Sequence, residues 1–164
     1  QEKQDINKLW KLAYTDMLTG LNNRQLFEKR LEEYAGYGSC ITLSFIDVNG
    51  LKTTNDQFGH LEGDAYLIDV SRILSEISGR LNMDLFRYGG DEFVMMGNGV
   101  NEPELAAALE QANEQLKSGP ARYPRSISYG VVRGDCTDYP SLIAEADDQM
   151  YQYKLKYYEK MARS

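Results

Sequence analysis

Cysteine and histidine are nearly missing from this 164-residue chain, which has two of the first and one of the second. Cys40 and Cys136 lie far apart with no histidine partner nearby. They read as reduced core or surface thiols, which favours a cytoplasmic setting over an oxidising one. Long hydrophobic runs are missing too. No stretch approaches the roughly 18 apolar residues of a spanning helix, so no membrane contact is expected of this piece. Nor is there an excess of positive charge. With 18 basic against 25 acidic side chains the formal net charge is -7, and no dense basic stripe is present to neutralise a run of phosphates, so nucleic acid is a poor partner. The chain opens on Gln1, without a charged-then-apolar leader, and reads as a piece of something longer.

What is there is an ordinary globular composition, 42% apolar and 26% charged. The length suits one domain that buries roughly 70% of its unfolded surface around a single core. Its acidity leaves one class of ligand open, because a polyphosphate binds an acidic protein when a divalent cation stands between them.

The opening segment carries Ile6, Leu9, Trp10 and Ala13 at helical spacing and reads as a connector helix. A second helix runs through Leu26, Phe27, Leu31 and Tyr34 and ends near Gly36 and Gly38. "SCITLSFID" alternates as a strand that places Asp47 at its carboxyl end. A short helix through "LKTTNDQF" precedes a long one from about Glu62 to Arg80, with Leu67, Val70, Leu74 and Ile77 facing inward. "MDLFRY" and "EFVMMG" flank Gly89-Gly90 as a β-hairpin. Residues 102–117 are helical, "SISYGVVRG" is a strand, and a last helix begins at Pro140. The hairpin makes at least one strand pair antiparallel, so the expected fold is an α+β sandwich with a mixed sheet, of ferredoxin-like type.

The hairpin tip reads "RYGGDEF". Two glycines leave the backbone open to close approach by an anionic group, and Asp91 and Glu92 hang beside that opening. Two carboxylates about 4 Å apart repel by about 4 kcal/mol at an effective dielectric near 20, so a proton or a cation must join them. Alone, the same letters fit a tight glycine turn followed by solvated acids. A second acidic stretch, "FIDVNGLKTTNDQFGHLEGD", puts Asp47 at a strand end, where mixed sheets tend to place ligand-binding residues. Asn49 and Gly50 turn the chain into a helix whose first amides, with Lys52, suit phosphate oxygens. Asp47 and Asn49 serve equally well as caps of that helix. A calcium loop is disfavoured by Leu51 and by the place of the glycine, and no GxxxxGK[ST] loop occurs.

Together, "DMLTGLNNR", "DVNGLKTTNDQFGHLEGD", "RYGGDEF" and "EADDQMYQYK", in this order from about Leu12 to Lys160, resemble the GGDEF family of diguanylate cyclases. The resemblance implies a mainly antiparallel five-stranded sheet surrounded by helices, related to the nucleotide-cyclase palm. It divides the chain into a connector helix over residues 1–14, from an upstream region, and a catalytic domain over 15–164. It implies condensation of two GTP into cyclic di-GMP across a homodimer. By similarity, Asp47, Asp91 and Glu92 are catalytic, and Asp47, the Val48 carbonyl, Asp91 and Glu92 hold Mg²⁺ or Mn²⁺. Asn55 and Asp64 match guanine-reading positions. Lys52 and Lys154 match phosphate-binding ones, and Gly89 and Gly90 admit the nucleotide. The resemblance leaves room for an upstream sensor or dimerisation module, and for a membrane anchor in that region. The alternative it carries is a catalytically silent domain that binds GTP as a regulatory module. Two departures stand out. "RLNM" fills the register of the family's inhibitory RxxD motif, so no product-inhibition site of that type is expected. "KLKYYEK" replaces the usual glycine-arginine pair after the final lysine.

Overall fold

The structure, a computed structural model, describes residues 1–163. Six helices surround one sheet: α1 (Glu2–Tyr14), α2 (Arg24–Gly36), α3 (Leu51–Phe58), α4 (His60–Leu81), α5 (Glu102–Ser118) and α6 (Tyr139–Arg163). The strands are β1 (Asn22–Asn23), β2 (Cys40–Val48), β3 (Asp84–Arg87), β4 (Glu92–Gly97) and β5 (Ile127–Asp135), in the order β1-β3-β4-β2-β5. Every pairing is antiparallel except β1 with β3. The α+β, mixed, five-stranded fold expected from the sequence is the one observed.

β2 is the centre of the molecule because both its faces are apolar. Ile41, Leu43 and Phe45 pack with Leu26, Phe27 and Leu31 of α2 and Leu142, Ala146 and Met150 of α6. Ile46 and Val48 face Tyr66, Val70 and Leu74 of α4 and Leu105 and Leu109 of α5. The period-2 alternation of one strand thus feeds two cores, and the sheet lies between two helical layers. Each fully buried large apolar side chain contributes roughly 1.5–3 kcal/mol to holding those layers in place.

Local signals set the helix ends. Asn23 and Asn101 cap α2 and α5 by accepting the amides of Leu26 and Glu104 at 3.1 and 2.9 Å. Asn82, at φ 54°, ends α4 in the left-handed region that asparagine tolerates. α4 begins at His60, two residues before the expected start, and His60 is exposed rather than packed in the turn. β1 was not visible as a period, since two residues have none. α1 contributes no buried residue, and Ile6, Leu9, Trp10 and Leu12 are all exposed. Among the described residues no helix is long and apolar enough to cross a membrane.

Candidate active site

Asp47 sits at the carboxyl end of the central strand, 4% exposed. It is opposite Glu92 in the β2–β4 register, and the Val48 amide donates to the Asp91 carbonyl at 2.8 Å. These pairings put Asp91 next to Asp47, near enough for its charge to act on the Asp47 carboxyl. The corner after Asp47 is fixed from below. Asn49 Nδ2 donates to Ser126 Oγ at 2.8 Å, Ser128 Oγ donates to Asn49 Oδ1 at 2.7 Å, and Tyr66 Oη donates to the Asn49 carbonyl at 2.7 Å.

Asn49 is therefore not a cap. The α3 N-cap is Gly50, in the left-handed conformation at φ 73°, which brings no side chain of its own to this helix end. Of the two readings open for Asn49, capping is overturned because its carboxamide is engaged by Ser126 and Ser128. Asp64 is not a cap either, lying inside the first turns of α4.

The hairpin tip is held from the other side. Arg87 Nη1 donates to both oxygens of Asp16 at 3.2 and 3.0 Å, while Nε and Nη2 donate to the carbonyls of Gly89 and Gly90 at 3.2 and 2.8 Å. Neither Gly89 nor Gly90 has a positive φ, so this turn does not itself demand glycine. Nor does packing. A β-carbon at Gly90 would meet nothing within 4 Å, and one at Gly89 would make only ordinary contact with Glu92 at 3.8 Å. The open space is unused by the protein. A groove of about 570 Å³ runs along the flank of these glycines facing Leu12, Asp16, Arg24 and Arg87; Asp47 is not among its walls.

Lys154 reaches in from α6, its Nζ 2.5 Å from Asp47 Oδ2. The other oxygen, Oδ1, is buried and has no hydrogen-bond partner. Burial, joined by the neighbouring Asp91 charge, pushes the Asp47 carboxyl up to about 6 against the pull of Lys154. Burial also raises Glu92, with Asp91 and Asp147 adding to it. Desolvation works against the Lys154 ammonium, but its hydrogen bond and charge pairing with Asp47 win, so it is held above the usual lysine value. The site is short of positive charge.

A buried carboxylate with one orphaned oxygen, beside a second carboxylate, is a donor set suited to a hard cation. Among the described residues no three acidic, histidine or cysteine side chains form a cage of their own.

The remaining positions lie around the α3–α4 corner. Lys52 is exposed in the first turn of α3 and makes no ion pair among the described residues. Asn55 lies flat on α4: a β-carbon at Gly63 would fall 1.7 Å from Asn55 Oδ1. Asn55 and Asp64 are both partly exposed and keep their side-chain polar groups unpaired among the described residues. Two participants were missed from the sequence. Asp16 holds Arg87, and Tyr158 Oη accepts the Gly50 amide at 3.0 Å across 108 residues. The motif "DMLTG" hinted at the first; nothing local hints at the second.

Residues 13–160 match the family described as "Diguanylate cyclase, GGDEF domain". The chain is 32% identical over 154 residues to the diguanylate cyclase DgcP of Escherichia coli, covering 87% of this chain and 45% of that protein. It is 33% identical over 139 residues to the cyclic di-GMP phosphodiesterase PdeB of Shewanella oneidensis, covering 82% of this chain and 16% of the relative. The chain spans less than half the length of both. Its fold is similar to that of the coiled coil and GGDEF domain of DgcB from Caulobacter crescentus, solved in complex with c-di-GMP. The TM-score is 0.86 at 24% identity, over 94% of this chain and 87% of that one, a likeness of fold alone.

Proposed function

Since this chain belongs to the GGDEF domain family, we propose that it is a diguanylate cyclase domain that condenses two GTP into cyclic di-GMP and two pyrophosphates across a homodimer. The observation that carries this reading is the pairing of Asp47, with its orphaned buried oxygen, and Asp91 beside two glycines whose side-chain space is empty.

Asp47, Asp91 and the Val48 carbonyl hold the cation, Mg²⁺ in our assignment and Mn²⁺ as its nearest substitute, with Glu92 beside them. Bound there, it neutralises the α-phosphate and makes the attacking 3′-hydroxyl more acidic. The chain's own groups do the rest. Gly89 and Gly90 let the triphosphate lie against the hairpin, while Lys52 and the first amides of α3 receive its oxygens. Lys154, already at Asp47, lies on the phosphate side. Asp64 accepts from the N1–H and exocyclic amine of guanine, which adenine does not offer as a pair, and Asn55 adds a second polar contact to the base.

One domain orients one GTP. Attack of one ribose on the other phosphate therefore needs two domains face to face, and turnover should rise with protein concentration faster than linearly. Incubation with GTP and Mg²⁺ over a range of protein concentrations, with products separated by chromatography, tests the reading; absence of cyclic di-GMP at every concentration would remove it.

One finding favours a second reading. A relative named only as a phosphodiesterase matches most of this chain, as a GTP-binding domain that regulates an attached module would. In that case GTP binds in the same experiment and is recovered unchanged.

A further inference from the structure

The two halves of α6 do different work. Its buried residues, Leu142, Ala146 and Met150, all lie in the first half. There the helix presses on β5 so closely that a β-carbon at Gly130 would fall 2.3 Å from the Ala146 carbonyl. Beyond Met150 the helix buries nothing further, yet two side chains one turn apart reach the same corner of the sheet. Lys154 lays its ammonium on Asp47 Oδ2 at 2.5 Å, and Tyr158 offers its hydroxyl oxygen to the Gly50 amide at 3.0 Å.

The chemistry of this pair is telling. A positive group rests on the carboxylate that would take a cation, and an acceptor oxygen rests on the amide that would take a phosphate oxygen. Asp47, 4% exposed, keeps its other oxygen unpartnered beside them, so the corner is left unfinished by the protein itself. Among the described residues the Gly50 amide has no partner other than this hydroxyl.

Resting on the nucleotide reading above, we propose that Tyr158 is a displaceable latch. Its hydroxyl holds the Gly50 amide in the nucleotide-free protein and competes with a triphosphate oxygen for that donor. Lys154 stays at Asp47, and the triphosphate enters by displacing the Tyr158 hydroxyl alone from the Gly50 amide. Tyr158 is thus a positioning residue that sets affinity at the phosphate end and is indifferent to the base.

Calorimetric titration of the protein in Mg²⁺ with a non-cyclisable GTP analogue, and separately with inorganic tripolyphosphate, tests this. Losing the hydroxyl removes one hydrogen bond from the free state alone. Tyr158→Phe should therefore bind both probes roughly two- to tenfold more tightly. In the same variant the Gly50 amide should exchange with solvent faster in the absence of nucleotide. Tyr157→Phe, whose hydroxyl makes no hydrogen bond among the described residues, should change neither quantity. Unchanged affinity in Tyr158→Phe would mean the hydroxyl is not in the way, and weaker affinity would make it a phosphate ligand; either overturns the latch. A gain for the analogue without one for tripolyphosphate overturns it as well. If the wild-type protein binds neither probe, the nucleotide reading falls and takes the latch with it; if it binds both and the variant gains nothing, the latch falls alone.

Discussion

Asp47, paired across the sheet with Glu92, and Asp16, bound to Arg87 at the hairpin tip, are treated in opposite ways by their surroundings. Asp16, in the turn after α1, accepts from the Thr19 amide at 2.9 Å, from the Thr19 hydroxyl at 2.7 Å and from Arg87 on both oxygens. Burial alone would raise its carboxyl. The Thr19 bonds and Arg87 outweigh burial and hold it below the ordinary aspartate value. Asp47 is more deeply buried, has one lysine and one orphaned oxygen, and is pushed up to about 6. Asp16, which serves the architecture, has its lone pairs filled; Asp47 does not, as our proposal requires of an acid kept for a ligand. The same contrast separates the two loops. The β2–α3 corner is built into the core through Tyr66, Asn49, Ser126 and Ser128, whereas the hairpin tip hangs on one half-buried ion pair next to the exposed α1.

The strongest way to break this comparison is to remove an acid from the unfinished side. Asp91→Ala is expected to lower cyclic di-GMP formation by at least about 10²–10³-fold while leaving the circular dichroism spectrum and thermal midpoint close to wild type, since Asp91 lies in the loop and not in the core. Retained turnover would place the cation elsewhere.

Next in size is the finished side. Asp16→Ala strips Arg87, whose side chain is 14% exposed, of its acid, and loosens the guanidinium that holds the Gly89 and Gly90 carbonyls. We expect a loss of about 1–3 kcal/mol in denaturant unfolding, with a smaller loss of turnover than in Asp91→Ala. Turnover lost as completely as in Asp91→Ala, with no loss of stability, would erase the distinction between the two acids.

A smaller effect follows from proton linkage. Because folding lowers the Asp16 pKa from its ordinary 3.8, the stability it lends is full above that value and is lost as pH falls through the folded-state value. Thermal midpoints measured from pH 6 down to pH 3 should therefore fall more steeply in wild type than in Asp16→Asn. Parallel curves would show that Thr19 and Arg87 do not favour the ionised form.

Much of this arrangement was legible in the sequence, for reasons that differ by residue. The alternation of Ile41, Leu43 and Phe45 and the spacing of Leu67, Val70, Leu74 and Ile77 are local periods, so β2 and α4 could be read directly. Arg87 binds both a carboxylate and carbonyls, the first of them 71 residues away and so outside any local period. Asn49 could not be resolved, because the serines that claim it lie 77 and 79 residues away. The Tyr158 contact is not legible for the same reason, since Gly50 lies 108 residues away. The lack of side chains at the two glycines is legible in the sequence, whereas that neither takes a positive φ is seen only in the structure.

The smallest effect on the protein, and the sharpest on the comparison, is expected at the glycines. Gly50 takes φ 73°, a backbone that an L side chain rarely adopts, so Gly50→Ala should destabilise the fold by about 1 kcal/mol whatever binds there. Gly90 has no positive φ and nothing within 4 Å of a would-be β-carbon. Gly90→Ala should therefore leave the thermal midpoint unchanged or slightly raised, since alanine loses less freedom on folding, by about 0.4–1 kcal/mol. The added methyl would instead stand where our proposal lays the triphosphate, and affinity for a GTP analogue in Mg²⁺ should fall by about tenfold or more, a cost of at least about 1.4 kcal/mol. Calorimetry beside thermal unfolding separates the two costs. If Gly90→Ala binds the analogue as tightly as wild type, the empty space at the hairpin tip is not where the phosphates go.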